Sequence, residues 1–327
     1  MPQVAYAAGA TRTAVLGLGA NVPEQRITND DLARVVDTSD SWIRQRTGIA
    51  ERRRAAPGVT TAELALPAAK RALKAAEVLP SEVELIIFGT TTPDQPFPAT
   101  ACHLQRMLGA DGAVAFDVLA ACTSWLYAAS IAERYISSGA VRRALVIGAE
   151  VMSRVLDHAD RGTSILFGDG AGAAVLGPSS SSAGFESFAL AADGTQAQLI
   201  HYGPSASSTE CALRMDGAET FRSATRMMEE SARRACELAG VALRDIDLVV
   251  PHQANVRIVD VVAKRLGVPV DRFMVNLDHY GNTSAASIPL ALEEAVSGGR
   301  LHTGDRVLLV GFGAGMTWGA TVLTWGV

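Results

Sequence analysis

Charged residues are scarce in this 327-residue sequence: they make up 19% of it, against 48% for hydrophobic residues. The formal net charge of −5 gives no general affinity for nucleic acid, so an acidic partner would need a local basic patch. The sequence also lacks an uninterrupted apolar run of the ~18 residues that a membrane-spanning helix needs. We therefore expect neither nucleic acid nor a membrane as a partner.

Cysteines number only four, at positions 102, 122, 211 and 236, and no two of them form a CxxC pair. This spacing excludes a disulfide framework and a zinc site, and it predicts reduced thiols, no bound metal and a cytoplasmic location. Residues 1–10 contain no basic residue ahead of their short apolar stretch, and Arg12 interrupts the sequence just beyond them. We therefore expect no signal peptide.

The length exceeds that of one typical hydrophobic core, and internal similarity indicates two halves. Residues 70–87 align without a gap with residues 233–250, and each segment reads as a helix, a turn and a buried strand. Residues 144–148 and 307–311 repeat an apolar strand at almost the same spacing. Generic βα units resemble one another, but several pairs in the same order favour a duplication.

Alternating helices and apolar strands in both halves predict an α/β fold with mainly parallel sheets covered by helices. We assign residues 1–178 to the first half and residues 179–327 to the second. On this alignment Cys122 and Asn282 are equivalent positions. Both residues, and His252, follow predicted strands, and matching strand ends in such a fold converge where ligands bind. We expect the three side chains to share one pocket.

Cys122 is a candidate nucleophile because an apolar, strand-like segment delivers it to the start of a helical pattern. The amides of the first turn and the positive end of the helix dipole favour a thiolate over a thiol. The alternative is a buried structural cysteine, since free cysteines are often buried. The residues elsewhere in the chain decide in favour of the nucleophile.

His252 and Asn282 would supply two neutral hydrogen-bond donors beside the thiol. Taken singly, His252 is compatible with a structural role and Asn282 with a turn. A cysteine protease uses the same three residue types, but its histidine has to move a proton. Loss of CO2 from a malonyl thioester needs no base, and instead builds negative charge on an oxygen that two donors can stabilise. Decarboxylative condensation therefore fits these residues better.

A glycine-rich turn at residues 311–316 follows a buried strand near the end of the chain. Such a turn can present a backbone amide to a developing oxyanion, and the amide of Cys122 can serve as the second donor. A turn with no ligand is the alternative reading.

In their order along the chain, these segments resemble those of the β-ketoacyl-[acyl-carrier-protein] synthase III family of the thiolase superfamily. The resemblance covers nearly the whole chain after about residue 12, and its motifs are the Asp-Thr-Ser-Asp-x-Trp-Ile run at 37–43, then 46–49, the Cys122 segment, 160–163, 167–172, 251–255, 280–284 and 311–319. It implies a thiolase-like duplicated fold with α-β-α-β-α layers and two mixed, mainly parallel sheets.

The resemblance also implies an acyltransferase that condenses an acyl-CoA primer with malonyl-acyl carrier protein to start fatty-acid synthesis. Cys122 would carry the acyl group, and His252 and Asn282 would bind the malonyl thioester carbonyl. The backbone amides of Cys122 and Ala314 would form the oxyanion hole. The enzyme would need no cofactor, because the coenzyme A thioester is a substrate, and it would be a homodimer.

Further residues acquire roles from the same resemblance. The implied sites are Trp42, Arg46 and Arg161 for coenzyme A, Phe97 and Trp125 for the acyl pocket, and Arg222, Arg257, Lys264 and Arg265 for the carrier protein. Phe97 would reach across the dimer into the partner's pocket. An indole and guanidinium groups can stack on a purine and pair with phosphate. Ordinary solvated helix faces are the alternative for the basic residues.

Thr123-Ser124-Trp125 departs from the family pattern, in which a small residue, Gly and Phe follow the nucleophile. This departure puts the choice of primer in doubt. It keeps open a specialised, secondary-metabolic acyltransferase that sends the acyl group to an oxygen or nitrogen acceptor. A non-catalytic scaffold subunit is a third hypothesis, which the presence of Cys122, His252 and Asn282 together disfavours.

Overall fold

A computed structural model describes residues 4–7, 12–179, 181–205 and 208–327. The described strands are β1 (Val4–Ala7), β2 (Thr13–Asn21), β3 (Arg26–Thr28), β4 (Glu51–Arg53), β5 (Leu85–Gly89), β6 (Val114–Val118), β7 (Ala144–Glu150), β8 (Gly170–Pro178), β9 (Gly184–Ala192), β10 (Ile200–Ser205), β11 (Ser208–Met215), β12 (Leu248–Pro251), β13 (Arg306–Gly313) and β14 (Thr317–Thr324).

The described α-helices are α1 (Asn29–Ala33), α2 (Asp40–Thr47), α3 (Thr61–Ala75), α4 (Thr100–Leu108), α5 (Ser124–Ser137), α6 (Arg161–Ser164), α7 (Gly217–Ala239), α8 (Val256–Leu266), α9 (Leu277–Tyr280) and α10 (Ser287–Ser297). Side-chain caps begin several of them: Thr60, for example, accepts from the amide of Glu63 at the start of α3. Across the described ranges, none of these helices has the length and apolar character needed to cross a membrane.

Two five-stranded sheets form the frame, in the orders β2-β8-β7-β5-β6 and β1-β9-β14-β13-β12. Strands in the middle of the sheets, such as β5 and β7, are buried along their whole length, which is why they read as continuous apolar runs. β6 lies at the edge of the first sheet and is half-exposed. The edge position distinguishes it from the buried strand that its sequence suggests.

Helices α5 and α10 lie between the two sheets, and one core cluster joins residues of both helices to strands of both sheets. Helices α3 and α4 cover the outer face of the first sheet, and α7 and α8 cover that of the second. The predicted α-β-α-β-α layering and the mixed character of both sheets are therefore confirmed.

The prediction of mainly parallel sheets needs correction. Of the strand pairings described in the two sheets, three are parallel and five are antiparallel. Each half has a parallel βαβ unit, but its sheet is completed by antiparallel strands such as β14, which a tight turn joins to β13. The half boundary after residue 178 stays a prediction, and β1 from the first half pairs with β9 in the second sheet.

The local geometry also changes the alignment of the two halves around the nucleophile. Ala121 and Ser284 each begin a 3-10 turn with φ of 49°, and these turns lead directly into α5 and α10. Cys122 therefore corresponds to Ala285 and not to Asn282. In the first half a strand precedes the 3-10 turn, whereas in the second half the short helix α9 precedes it. A gapless alignment of the two halves therefore pairs the wrong residues at this point.

Candidate active site

A cavity of about 1200 Å³ opens between the two halves, and Cys122, His252 and Asn282 all line it. Other parts of its wall come from the glycine-rich turn at 314–315 and from the hairpin β10–β11. The hairpin carries no motif in the sequence, and its contribution was not predicted. The structure thus brings the three predicted catalytic side chains to one pocket.

Cys122 lies in the middle of the 3-10 turn between β6 and α5. Ala121, just before it, adopts the left-handed φ of 49°, which costs free energy for a residue with a side chain and turns the chain sharply. The hydroxyl of Ser124 accepts from the amide of Ala120 at 2.8 Å and braces this turn. Ser124, where the family has glycine, is therefore accommodated by a hydrogen bond of its own.

The thiol of Cys122 is more protected than the sequence suggests. Burial, with a smaller contribution from the nearby Glu150 carboxylate, raises its pKa to about 12. The proximity of Ser284 and of the cysteine's own amide lowers the pKa in part. The expectation of a thiolate poised by the helix dipole alone is thus not supported. The thiol has to lose its proton when the substrate arrives.

The glycine-rich turn approaches the nucleophile closely. A Cβ added at Gly313 would lie 2.7 Å from the backbone nitrogen of Cys122, so only glycine fits there. Thr317 supports the contact, because its hydroxyl donates to the carbonyl of Ala120 at 3.0 Å. Ala314 follows Gly313 and lines the cavity. The two segments expected to supply the oxyanion hole therefore lie next to each other in the cavity wall.

His252 directly follows β12 and is 1% exposed. Its Nδ1 lies 2.6 Å from the hydroxyl of Ser287, whereas its Nε2 has no hydrogen-bond partner among the described residues. The ring meets Phe312 edge-on, with 5.5 Å between the centroids. Burial lowers the pKa of His252 to about 3, so the ring is neutral at physiological pH. A hydroxyl proton donated to Nδ1 would leave the ring's own proton on Nε2, ready for a ligand.

Asn282 is held by its backbone and by one side of its amide. Its N–H donates to Leu166 at 2.8 Å, and its carbonyl accepts from Gly168 at 3.0 Å. The side-chain Oδ1 accepts from the amide of Ser284 at 2.8 Å. This bond fixes the amide plane and leaves the Nδ2 group as the donor available to a ligand.

Glu150 and Ser284 are polar residues beside the nucleophile to which the sequence assigned no role. Glu150 is fully buried at the end of β7, and it accepts a hydrogen bond from the Ser284 hydroxyl at 3.0 Å. Its other partners come from Thr90, Thr91 and Thr92. The signal in the sequence was an acidic residue that ends an otherwise apolar strand.

The predicted coenzyme A residues meet at the cavity mouth. Two guanidinium groups lie over the ring of Trp42. The guanidinium carbon of Arg161 is 4.8 Å from the ring centroid, and that of Arg46 is 5.6 Å from it. The side chain of Arg161 also donates to the carbonyl of Asp37 at 2.8 Å. An aromatic face flanked by cations is suited to a base and a phosphate.

Neither of the two predicted acyl-pocket residues lines the cavity of its own chain. Phe97 is 83% exposed and does not contact the cavity of its own chain, although Gln95 and Pro96 line it. Trp125 is 1% exposed and belongs to the core between the sheets, where its ring would meet a side chain added at Gly148. It is absent from the cavity wall because the 3-10 turn places it on the inner face of α5. The indole therefore packs in the core, under the 3-10 turn that carries Cys122, and not in the cavity wall.

The predicted carrier-protein residues lie on α7 and α8, which pack against each other. All four are exposed: Arg222, Arg257, Lys264 and Arg265. Arg222 pairs with Glu219 at 2.5 Å and Arg265 with Glu229 at 3.7 Å. The guanidinium of Arg257 lies 5.7 Å from the ring of Phe221, which lines the cavity. Arg257 therefore lies next to a residue of the cavity wall, and ion pairs compensate part of the charge of the four residues.

Comparisons with known proteins find relatives of one family along nearly the whole chain. Profiles described as "3-Oxoacyl-[acyl-carrier-protein (ACP)] synthase III" and its "C terminal" part match residues 116–194 and 236–325. A β-ketoacyl-[acyl-carrier-protein] synthase III of Desulfitobacterium hafniense is 48% identical over 321 residues, which cover 95% of this chain and 97% of that protein. One from Geobacillus kaustophilus is 46% identical and covers 95% and 98%.

Solved structures of similar proteins have the same fold along nearly the whole chain. The 3-oxoacyl-[acyl-carrier-protein] synthase III of Aquifex aeolicus superposes with a TM-score of 0.92 at 45% identity, covering 96% of this chain and 100% of that one. The priming β-ketosynthase of the R1128 polyketide pathway superposes with a TM-score of 0.92 at 39% identity, covering 97% and 98%.

Proposed function

Because the chain belongs to the β-ketoacyl-[acyl-carrier-protein] synthase III family, we propose that its cavity joins an acyl-CoA primer to malonyl-acyl carrier protein through an acyl-Cys122 intermediate. The chain is an acyl-transferring condensing enzyme that starts fatty-acid synthesis. The observation that carries the proposed residue roles is the convergence of one thiol and two neutral donors in a single cavity. No cofactor is needed for these steps.

In the first half-reaction, the sulfur of Cys122 attacks the carbonyl carbon of the primer thioester. The negative charge on the carbonyl oxygen is stabilised by the amides of Cys122 and Ala314, whose segments approach each other at Gly313. Coenzyme A leaves, and its adenine end is held between Trp42 and Arg161 at the mouth. The outcome is an acyl-enzyme and a vacated entrance for the second substrate.

In the second half-reaction, the malonyl thioester carbonyl accepts hydrogen bonds from Nε2 of His252 and Nδ2 of Asn282. These groups stabilise the enolate that forms as CO2 leaves. A neutral histidine suits the task, and burial keeps His252 neutral. The carbanion attacks the acyl group on Cys122 and yields the 3-oxoacyl-acyl carrier protein. The exposed arginines on α7 and α8 are suited to meet the acidic carrier protein.

The proposed assembly is a cytoplasmic homodimer. β6 is an unpaired sheet edge in the described chain, and Val114 on it is 56% exposed. Phe97 and Leu119 nearby are 83% and 75% exposed. A sheet edge bordered by exposed apolar side chains favours pairing with a second copy. Such a partner would offer Phe97 to the pocket of its neighbour.

Intact-protein mass spectrometry after incubation with a panel of acyl-CoA thioesters tests the proposal. We expect an acyl adduct on the parent and on Cys102→Ala, a control at another partly buried cysteine, but none on Cys122→Ala. The acyl-enzyme should then release CO2 from malonyl-acyl carrier protein. An adduct on Cys122→Ala would refute the nucleophile. Transfer of the acyl group to an oxygen or nitrogen acceptor without CO2 release would refute the condensation.

A further inference from the structure

Glu150 is a buried carboxylate that the two half-reactions leave without a role. Its oxygens accept from the amides and hydroxyls of Thr91 and Thr92, from the hydroxyl of Thr90 and from that of Ser284. Burial raises its pKa, hydrogen bonds from Thr92, Thr91 and Ser284 lower it in part, and no ion pair joins it to a basic side chain among the described residues. A carboxylate buried without a cation is costly even when it is hydrogen-bonded, so its presence calls for an explanation.

The directions of these hydrogen bonds single out Ser284. Thr90 Oγ1 accepts from the amide of Thr92, and Thr92 Oγ1 accepts from the amide of Val151. Both hydroxyls therefore have an acceptor role already filled and donate to Glu150. The Ser284 hydroxyl donates to Glu150 at 3.0 Å, and Ser284 lines the cavity together with Cys122, whose thiol pKa it affects.

Ser284 is also fixed in place by its backbone. Its φ is 49°, and its amide donates to Oδ1 of Asn282 at 2.8 Å. Its hydroxyl therefore stays next to Glu150, in the part of the cavity wall that also contains Cys122. The thiol and the carboxyl share a buried space in which two negative charges would repel each other strongly, so the pair holds one negative charge and one proton.

Building on the proposed function, we propose that Ser284 relays the proton of Cys122 to Glu150 during acylation, and that Glu150 keeps it until the cysteine is released. As the sulfur attacks, its proton passes to Ser284 Oγ and the serine's own proton passes to Oε1 of Glu150. The sulfur lone pair forms the bond to the acyl carbon. The bond from that carbon to the coenzyme A sulfur breaks, and this thiolate takes a proton from solvent.

The stored proton returns in the second half-reaction. When the carbanion attacks the acyl group, the bond to Cys122 Sγ breaks, and the thiolate regains its proton from Glu150 through Ser284. The cysteine proton thus shuttles within the enzyme, and the one proton consumed per turnover ends on coenzyme A. While the acyl-enzyme waits, Glu150 is neutral, so it does not repel the malonyl carboxylate.

Infrared difference spectroscopy of the full chain tests the relay. Alkylation of Cys122 by iodoacetamide needs no acyl-CoA, so this readout separates the relay from the proposed function. We expect a protonated-carboxyl band on alkylation of the parent, and the same band on acylation. Glu150→Gln should lack the band. An alkylated parent without the band, or Glu150→Gln with it, would overturn the relay.

Ser284→Ala provides the kinetic test. Alanine is tolerated at this φ, as Ala121 shows in the corresponding position of the first half. We expect alkylation of Cys122 to slow roughly 100-fold near neutral pH and to accelerate with rising pH, because proton removal then falls to solvent. Thr90→Val, which removes another hydrogen bond from the same carboxylate, should keep the band and the parent's pH profile. A parent-like rate and profile in Ser284→Ala would contradict the relay.

Discussion

At the scale of single residues, the site depends on atoms whose other contacts are already used. Ser287 occupies Nδ1 of His252, and Ser284 occupies Oδ1 of Asn282, so Nε2 and Nδ2 are left for the substrate. The sequence places these residues at the ends of elements but gives no indication of which atom is available. That information comes from the hydroxyl of Ser287 and the backbone amide of Ser284.

The roles of the two donors can be separated from that of the nucleophile. Asn282→Asp keeps the Oδ1 that accepts from Ser284 but replaces the Nδ2 donor. We expect malonyl decarboxylation to fall on the order of 100-fold or more, as for the loss of one oxyanion donor. His252→Ala should lose a similar factor. Acylation by acyl-CoA, followed by mass spectrometry, is the internal control, and loss of acylation with decarboxylation intact would reverse the assignment.

The neutral state of His252 predicts a pH dependence of stability. Burial lowers its pKa in the folded protein to about 3, whereas an unfolded chain has a value near the ordinary 6.5. Between these values the unfolded chain binds one more proton, so this residue makes the free energy of unfolding fall as the pH falls. We expect His252→Asn to lose part of that acid sensitivity. Urea unfolding near pH 7 and about pH 5 measures it, and an unchanged difference would show that His252 titrates alike in both states.

At the scale of secondary-structure elements, sequence patterns predicted the features that depend on local periodicity. The helix–turn–strand units around β5 and β12 and the strand ends bearing Cys122 and His252 follow from periodicity. Antiparallel completion of the sheets does not, because a buried strand is apolar whichever way its neighbour runs. The sequence position of Trp125 was likewise insufficient, since a 3-10 turn precedes α5 and shifts the faces of the helix.

Glu150 is a second case in which the role of a residue depends on contacts that the sequence does not reveal. Its partners lie far from it in the sequence: residues 90–92 follow the neighbouring strand of the same sheet, and Ser284 comes from the other half. The raised pKa of Cys122 has the same origin, because burial by the assembled cavity outweighs the turn's own amide. Local motifs identify the nucleophile, but its protonation depends on the tertiary structure.

Strand β13 offers a matched pair of substitutions that tests its contact with the nucleophile turn. A Cβ at Gly313 would lie 2.7 Å from the backbone nitrogen of Cys122, whereas one at Gly311 has its nearest neighbours at 3.4 Å. We expect Gly313→Ala to displace the oxyanion amide and lower kcat/KM for acylation by roughly 100-fold. Gly311→Ala should stay close to the parent. Equal effects of the two substitutions would show that general strain in β13, and not the approach to Cys122, is responsible.

At the scale of the whole molecule, one chain places all of the proposed catalytic groups but leaves an edge strand and several apolar side chains uncovered. Phe97 is 83% exposed beside Gln95 and Pro96, which line the cavity. In a monomer, an aromatic side chain at that position buries little apolar surface and therefore contributes little to the stability of the fold. A second copy placed against β6 would cover it and would close the pocket of each subunit with a residue of the other.

Charge placed on the β6 edge tests this arrangement. Val114 on β6 is 56% exposed, and Val270 after α8 is 55% exposed, so the two form a matched pair. We expect the parent and Val270→Lys to sediment as dimers, and Val114→Lys to dissociate, because a lysine on an edge strand opposes pairing with a second edge. Dissociation should also weaken acylation, since each pocket would lose the partner's Phe97. A dimeric Val114→Lys would exclude the β6 edge as the interface, and a monomeric variant with full acylation would exclude a partner contribution to the pocket.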